Sequence, residues 1–305
     1  MKSAVWLASA VILLVLLAPL CLTGYWLRFI TFVLMWIGLA GSLNLLTGYT
    51  GYLDFGHTAF FGSGAYITGI LIVKTAIPFL PAMLLGAIAA AGLAVIVGIP
   101  TMRLKGTYFA IAMLAFAEAL NQIVLEADGL TGGGNGLSLP IYTNYAFFYY
   151  MMLMAVVGVL ATTIFFERSK FGKALMAIRQ AELAAEMSGV NTFICKLGAF
   201  AISAFFAGMI GGIYAYWMTF LYPGDVFNVL MTVRMIIMAV LGGSGTLLGP
   251  VIGAAFLATT EEILWAQFRY TYLILVGLII VLVVLALPQG LVGLFRREGR
   301  SSSNS

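Results

Sequence analysis

The groups in this chain that could do chemistry are few. There is one histidine, His57, with Asp54 three residues before it, and no HExxH, CxxC or His/Asp cluster. That argues against a metal centre and an intramembrane metalloprotease. Ser63 lies in GSGA rather than in a G-x-S-x-G elbow, and no second histidine stands by to serve as its base. The only Gly-Lys pair, Gly172-Lys173, is followed by Ala174 and lacks the upstream glycine of a P-loop, so the chain does not bind ATP by that route. No cofactor, metal or enzymatic activity of its own is expected. The polar groups that remain lie in apolar surroundings. Glu118 is the clearest, with Asn121 and Gln122 on the following turn. A carboxylate at mid-helix in a bilayer costs about 2.5–3.5 kcal/mol on insertion scales, so it needs a compensating reason. Either it stands on a polar pathway, or it is held by Asn121, Gln122 or a neighbouring helix. Arg234 has the same two options, a pair with Glu118 or a snorkelling position at the membrane edge. For His57 the choice is a structural hydrogen bond or a proton relay.

The elements that position these groups are membrane spans. The chain is 63% hydrophobic and only 9% charged, against about 25% charged in a soluble domain. Several apolar runs reach the roughly 20 residues a helix needs to cross the hydrocarbon core, and none alternates as a barrel strand would. The expected fold class is an all-α integral membrane protein, a single domain over residues 1–300 with a disordered tail at 301–305. Spans are expected at about 4–22, 28–47, up to 74, 78–99, 107–125, 142–166, 197–221, 226–241, 248–264 and 270–288, about ten transmembrane helices. The glycine-rich stretch 48–69 allows close packing or a broken helix, and GGSGTLLGP at 242–250 is either a surface turn or a re-entrant bend. Gly-x-x-Gly recurs at 48–51 and 242–245, each before a span.

A polar island at 167–196 interrupts this pattern and holds 8 of the 26 charged residues. Phe171, Leu175, Ile178 and Ala185 recur there at roughly helical spacing among charges, and Ser188-Gly189 supplies a helix stop. An amphipathic helix in water needs its apolar side covered by the bilayer interface, by the chain's own helices or by another protein. With the N-terminus inside, ten spans place eleven basic residues on the island's side, against Arg28, Lys74 and Arg269 opposite. The positive-inside rule then sets both termini in the cytoplasm. It also accounts for the net charge of +4 and pI near 9.0 without nucleic acid. Cys21 and Cys195 fall at opposite faces and cannot pair.

Five blocks, taken together, carry a family likeness. They are GYTGYLDFGHTAFFGSGAY at 48–66, RLKGTYFAIAMLAFAEAL at 103–120, LTGGGNGL at 130–137, FERSKFGKALMAIRQAELAAEMSGVN at 166–191 and VLGGSGTLLGPVIGA at 240–254. In this order the chain resembles the LivM-type inner-membrane permeases of branched-chain amino acid ABC importers. The resemblance implies a bacterial inner-membrane permease subunit forming half of a path for Leu, Ile or Val. It implies as partners a LivH-like second permease, two cytoplasmic ATP-binding subunits and an extracytoplasmic substrate-binding protein, with membrane lipid around them. LAAEMSG at 183–189 is similar to the E-A-A-x-x-x-G loop that docks ATPases in such importers. It retains Ala184, Ala185 and Gly189, with the acidic residue displaced to Glu182; Arg179 and Glu186 complete the expected coupling set. The expected pathway residues are Gly51, His57, Glu118, Asn121, Gly133 and Asn135. Tyr52 and Asp54 depart from the Gln and small hydroxyl residue more usual in relatives. A neighbouring subfamily with similar motifs handles urea or short amides, which are the alternative cargo; an ion-coupled secondary transporter is the alternative mechanism.

Overall fold

A computed structural model describes residues 24–104 and 106–268, with positions 19, 277, 278 and 291. The expected spans at 4–22 and 270–288 lie almost wholly outside the described residues, and the tail at 301–305 and Cys21 lie outside them altogether.

The long helices are α1 (Tyr25–Thr50), α2 (His57–Thr75), α3 (Phe79–Thr101), α4 (Thr107–Glu126), α6 (Tyr145–Arg168) and α9 (Thr192–Met218), then α11 (Val229–Gly242) and α12 (Gly249–Gln267). Between them lie the short helices α5 (Asp128–Thr131), α7 (Lys170–Gln180), α8 (Glu182–Met187) and α10 (Pro223–Val226). Their ends follow local chemistry. Asn144 and Asn191 cap α6 and α9 by accepting from the backbone N–H of Phe147 and Ile194. Gly51, at φ +78°, closes α1 by returning its N–H to Thr47.

The core sits around α9, which packs on α1, α2 and α3. Where α2 meets α9 the backbones touch. A Cβ added to Gly64 would lie 2.1 Å from the Gly208 carbonyl oxygen, and one added to Gly211 would lie 2.0 Å from that of Phe61.

Contacts distinguish the two ends of the bundle. At one end the island helices α7 and α8 meet the 51–56 segment and the 243–248 turn. At the other, Lys74 donates to the Gly129 carbonyl, Arg28 bonds Tyr145, and Tyr25 donates to Glu262 at 2.5 Å. A small cap forms there, in which β1 (Leu137–Ser138) pairs antiparallel with β2 (Phe220–Leu221). Six helices among the described residues are long and apolar enough to cross a membrane, with Pro223–Gly242 taken as one. Two more, α2 and α12, also connect the two ends, from His57 to Lys74 and from Gly249 to Glu262. The 243–248 segment is thus a turn at the island's end of the bundle rather than a bend in its middle.

Candidate functional site

The island folds as two helices. Ser169 caps α7 through the Gly172 N–H at 3.1 Å, and Leu175 and Ile178 turn into the core at 0% and 3% exposure. Ala185 of α8 is buried as well. One apolar side of the island is therefore covered by the chain's own helices. A second apolar surface is open, for Leu183 is 65% and Met187 91% exposed. Gly189, at φ +84°, ends α8. Its N–H returns to Glu186 at 2.9 Å and that of Val190 to Ala185 at 3.1 Å, the Schellman pattern that only a left-handed residue closes easily. Ala184 and Glu186 face outward, and Glu186 accepts from Thr192 at 2.7 Å.

Arg179 lies at the junction of the two Gly-x-x-Gly motifs. Its guanidinium donates to the Gly48 carbonyl at 2.5 Å and to Ser244 Oγ at 3.4 Å. Asn44 bridges the same two segments, accepting from the Gly245 N–H at 2.8 Å and donating to the Thr246 carbonyl at 3.2 Å. A Cβ on Gly48 would lie 2.6 Å from the Gly245 nitrogen. Motifs about 200 residues apart are thus one contact, and Gly51 packs beside the Arg179 stem. A groove of about 710 Å³ opens next to it, lined in part by Tyr49, Lys173, Met176, Gln180 and Leu248.

Glu182 points inward. One of its oxygens accepts from Lys196 Nζ at 2.6 Å and the other from the Tyr52 hydroxyl at 2.7 Å. Lys196, only 3% exposed, also donates to Tyr52 Oη at 3.0 Å and to the Met102 carbonyl at 3.1 Å. All three ammonium protons are used. Burial, then the bond to Glu182, pushes the Tyr52 phenol above its ordinary range, so it stays a donor.

Beneath this ring runs a buried chain. Asp54 accepts from His57 Nδ1 at 3.1 Å and from the Gly56 N–H at 2.9 Å; His57 Nε2 lies 2.9 Å from Ser42 Oγ. Asp54, His57 and Ser42 are all at 0% exposure. The order is that of a hydrolase triad, but no substrate carbonyl reaches a serine so enclosed.

Glu118 lies elsewhere, on α4. It accepts from Gln122 at 3.0 Å and Asn121 at 3.4 Å, yet remains exposed. The Asn121 side-chain oxygen is buried with no partner among the described residues. In its apolar stretch α4 is 22% buried, against 72% for α1. Arg234 does not pair with Glu118: its partner is Glu261, at 3.7 Å. Gly133 and Asn135 form a 3₁₀ turn at the bundle's far end, where Gly133 N–H donates to Thr131 at 3.1 Å. The expected pathway residues therefore occupy both ends and one open face.

The comparisons with known proteins bear on this arrangement. The family described as branched-chain amino acid transport system / permease component matches residues 25–284. The chain belongs to that family. The permease is 28% identical over 299 residues to the high-affinity branched-chain amino acid transport system permease protein LivM of Salmonella typhimurium, covering 88% of this chain and 70% of that one. It is 26% identical over 272 residues to the probable LivM permease protein of Methanocaldococcus jannaschii, covering 73% and 78%. The LivH permease protein of Salmonella typhimurium is 28% identical over 171 residues, covering 56% and 54%. No solved structure matches the permease.

Three functional-looking residues of the permease escaped the sequence reading: Lys196, Asn44 and Ser42. Lys196 reads as the last charge of a solvated loop, because α9 was expected from 197 rather than from Thr192. Asn191, a cap residue just after the Gly189 stop, is the signal that moves the start earlier.

Proposed function

We propose that this permease is one half of the translocation path of an ABC importer for branched-chain amino acids, driven by ATP bound on separate subunits. The ten spans expected from the sequence carry both termini on the cytoplasmic side of a bacterial inner membrane. The observation that carries the reading is the island. It is fastened by Arg179 and Glu182 to the ends of the bundle helices, yet presents Leu183 and Met187 bare to its surroundings. A helix rigidly joined to the bundle on one side and apolar on the other suits a separate motor subunit seated on it.

A LivH-like permease completes the path along the open face of α4. There Glu118 and Asn121 meet the cargo, with Gly51 toward the island's end, Gly133 and Asn135 at the outer mouth, and His57 enclosed behind them. An extracytoplasmic binding protein delivers the solute. Co-expression with the LivH-like and ATP-binding subunits, reconstitution into vesicles and addition of the loaded binding protein should give leucine uptake that requires ATP. Uptake that ignores ATP and follows a proton or sodium gradient would overturn the reading. Faster uptake of urea than of leucine would reassign the cargo.

A further inference from the structure

In the family-based reading, the acidic residue of the coupling loop belongs to the surface that meets the ATPase. The geometry here is different. The Glu182 carboxylate is turned into the bundle, both of its oxygens engaged by Lys196 and Tyr52, and only 19% of its side chain is exposed. The ring it closes joins four elements: α8 through Glu182, α9 through Lys196, the 51–56 segment through Tyr52, and the end of α3 through Met102. A turn earlier, Arg179 joins α7 to the end of α1 and to the 243–248 turn. Ala181, at φ −159° and ψ 100°, separates α7 from α8, so each short helix has its own fastening.

We infer that Glu182 and Arg179 are positioning residues for transport. They are two prongs by which the island carries a displacement of its exposed surface to the bundle ends beside Gly48, Tyr52 and Gly245. Glu182 on this account is no ATPase contact. Resting as it does on the ABC-importer reading, the inference adds which side chains transmit and where. Were the carboxylate merely a structural neutraliser of Lys196, its loss would lower the amount of folded protein and leave the stroke per ATP unchanged. A prong predicts the reverse split.

The test is Glu182→Gln, which keeps the shape and an acceptor, and Tyr52→Phe, which removes one hydroxyl from the ring. Both are assayed in the full complex for ATPase co-purification, for ATP hydrolysis stimulated by the loaded binding protein, and for leucine uptake. The expected result is unchanged co-purification and hydrolysis with uptake per ATP about three- to tenfold lower, within the range for coupling residues. Loss of ATPase from Glu182→Gln would make Glu182 a docking contact and overturn the inference. So would uptake per ATP equal to wild type in both variants. Should Glu182→Gln fail to accumulate, Tyr52→Phe decides alone by the same ratio. Wild-type uptake indifferent to ATP would instead sink the reading underneath, a result visible before any variant is made.

Discussion

Gly189 and Lys196 show how single residues set the island's shape. Gly189 holds φ +84° with open space around the position of a Cβ, so a side chain there meets strain rather than a clash. Gly189→Val should destabilise the end of α8 by about 1–2 kcal/mol, the cost of a left-handed L-residue, and Gly189→Asn by less. Melting of the detergent-solubilised subunit and ATP-driven uptake of the two variants would rank them. Lys196→Met takes the ammonium away from the partly buried Glu182 carboxylate. Removing one member of such a pair costs about 3 kcal/mol. The remaining 19% exposure of Glu182 keeps the effect at that low end. A lower melting temperature is expected, partly recovered in Lys196→Met with Glu182→Leu. Gly189 was readable in the sequence because a helix stop is local chemistry. Lys196 was not, since burial of an ammonium depends on a carboxylate, a phenol and a carbonyl brought from three other elements. The same holds for Tyr52 and Asp54. Their partners lie inside this chain, Lys196 and Glu182 for one and His57 for the other.

Among the elements, the apolar spacing of Leu175, Ile178 and Ala185 foretold the buried side of the island, because periodicity reports a face directly. What covers that face was open in the sequence, and the answer is the chain's own bundle. The break at Ala181 had no sequence signal. Ala, Glu and Leu around it favour helix, and the extended residue is imposed by two fastenings that lie on either side of it. The second apolar surface, Leu183 and Met187, yields a prediction. Leu183→Asp with Met187→Asp alters two exposed side chains, so melting of the subunit should change within about 0.5 kcal/mol. ATPase subunits should no longer co-purify. Co-purification at the wild-type ratio would show that the motor sits elsewhere.

For the whole molecule, basic residues expected on opposite sides of the membrane bond at opposite ends of the bundle. Arg179 and Lys196 gather at the island's end, and Arg28 and Lys74 bond at the other. The two Gly-x-x-Gly stretches, which in sequence only hinted at a repeat, meet where they close one end of the bundle. What such a bundle leaves uncovered then becomes informative. Few residues of helix α4 are buried, and Glu118 stands on its exposed side with only Asn121 and Gln122 as hydrogen-bond partners among the described residues. A lipid-facing carboxylate is costly and a face turned to a second permease or a zwitterionic cargo is not, so opposite effects are expected from its removal. Glu118→Leu should ease insertion of the isolated subunit by about 2.5–3.5 kcal/mol. Leucine uptake by the assembled complex should fall by at least about tenfold if the carboxylate receives the cargo's amine, since a lost charge-assisted hydrogen bond is worth about 1.5–3 kcal/mol. Glu118→Gln should lie between. Transport at the wild-type rate by Glu118→Leu would mean that the carboxylate serves its own helix, through Asn121 and Gln122, and that the path runs along another face.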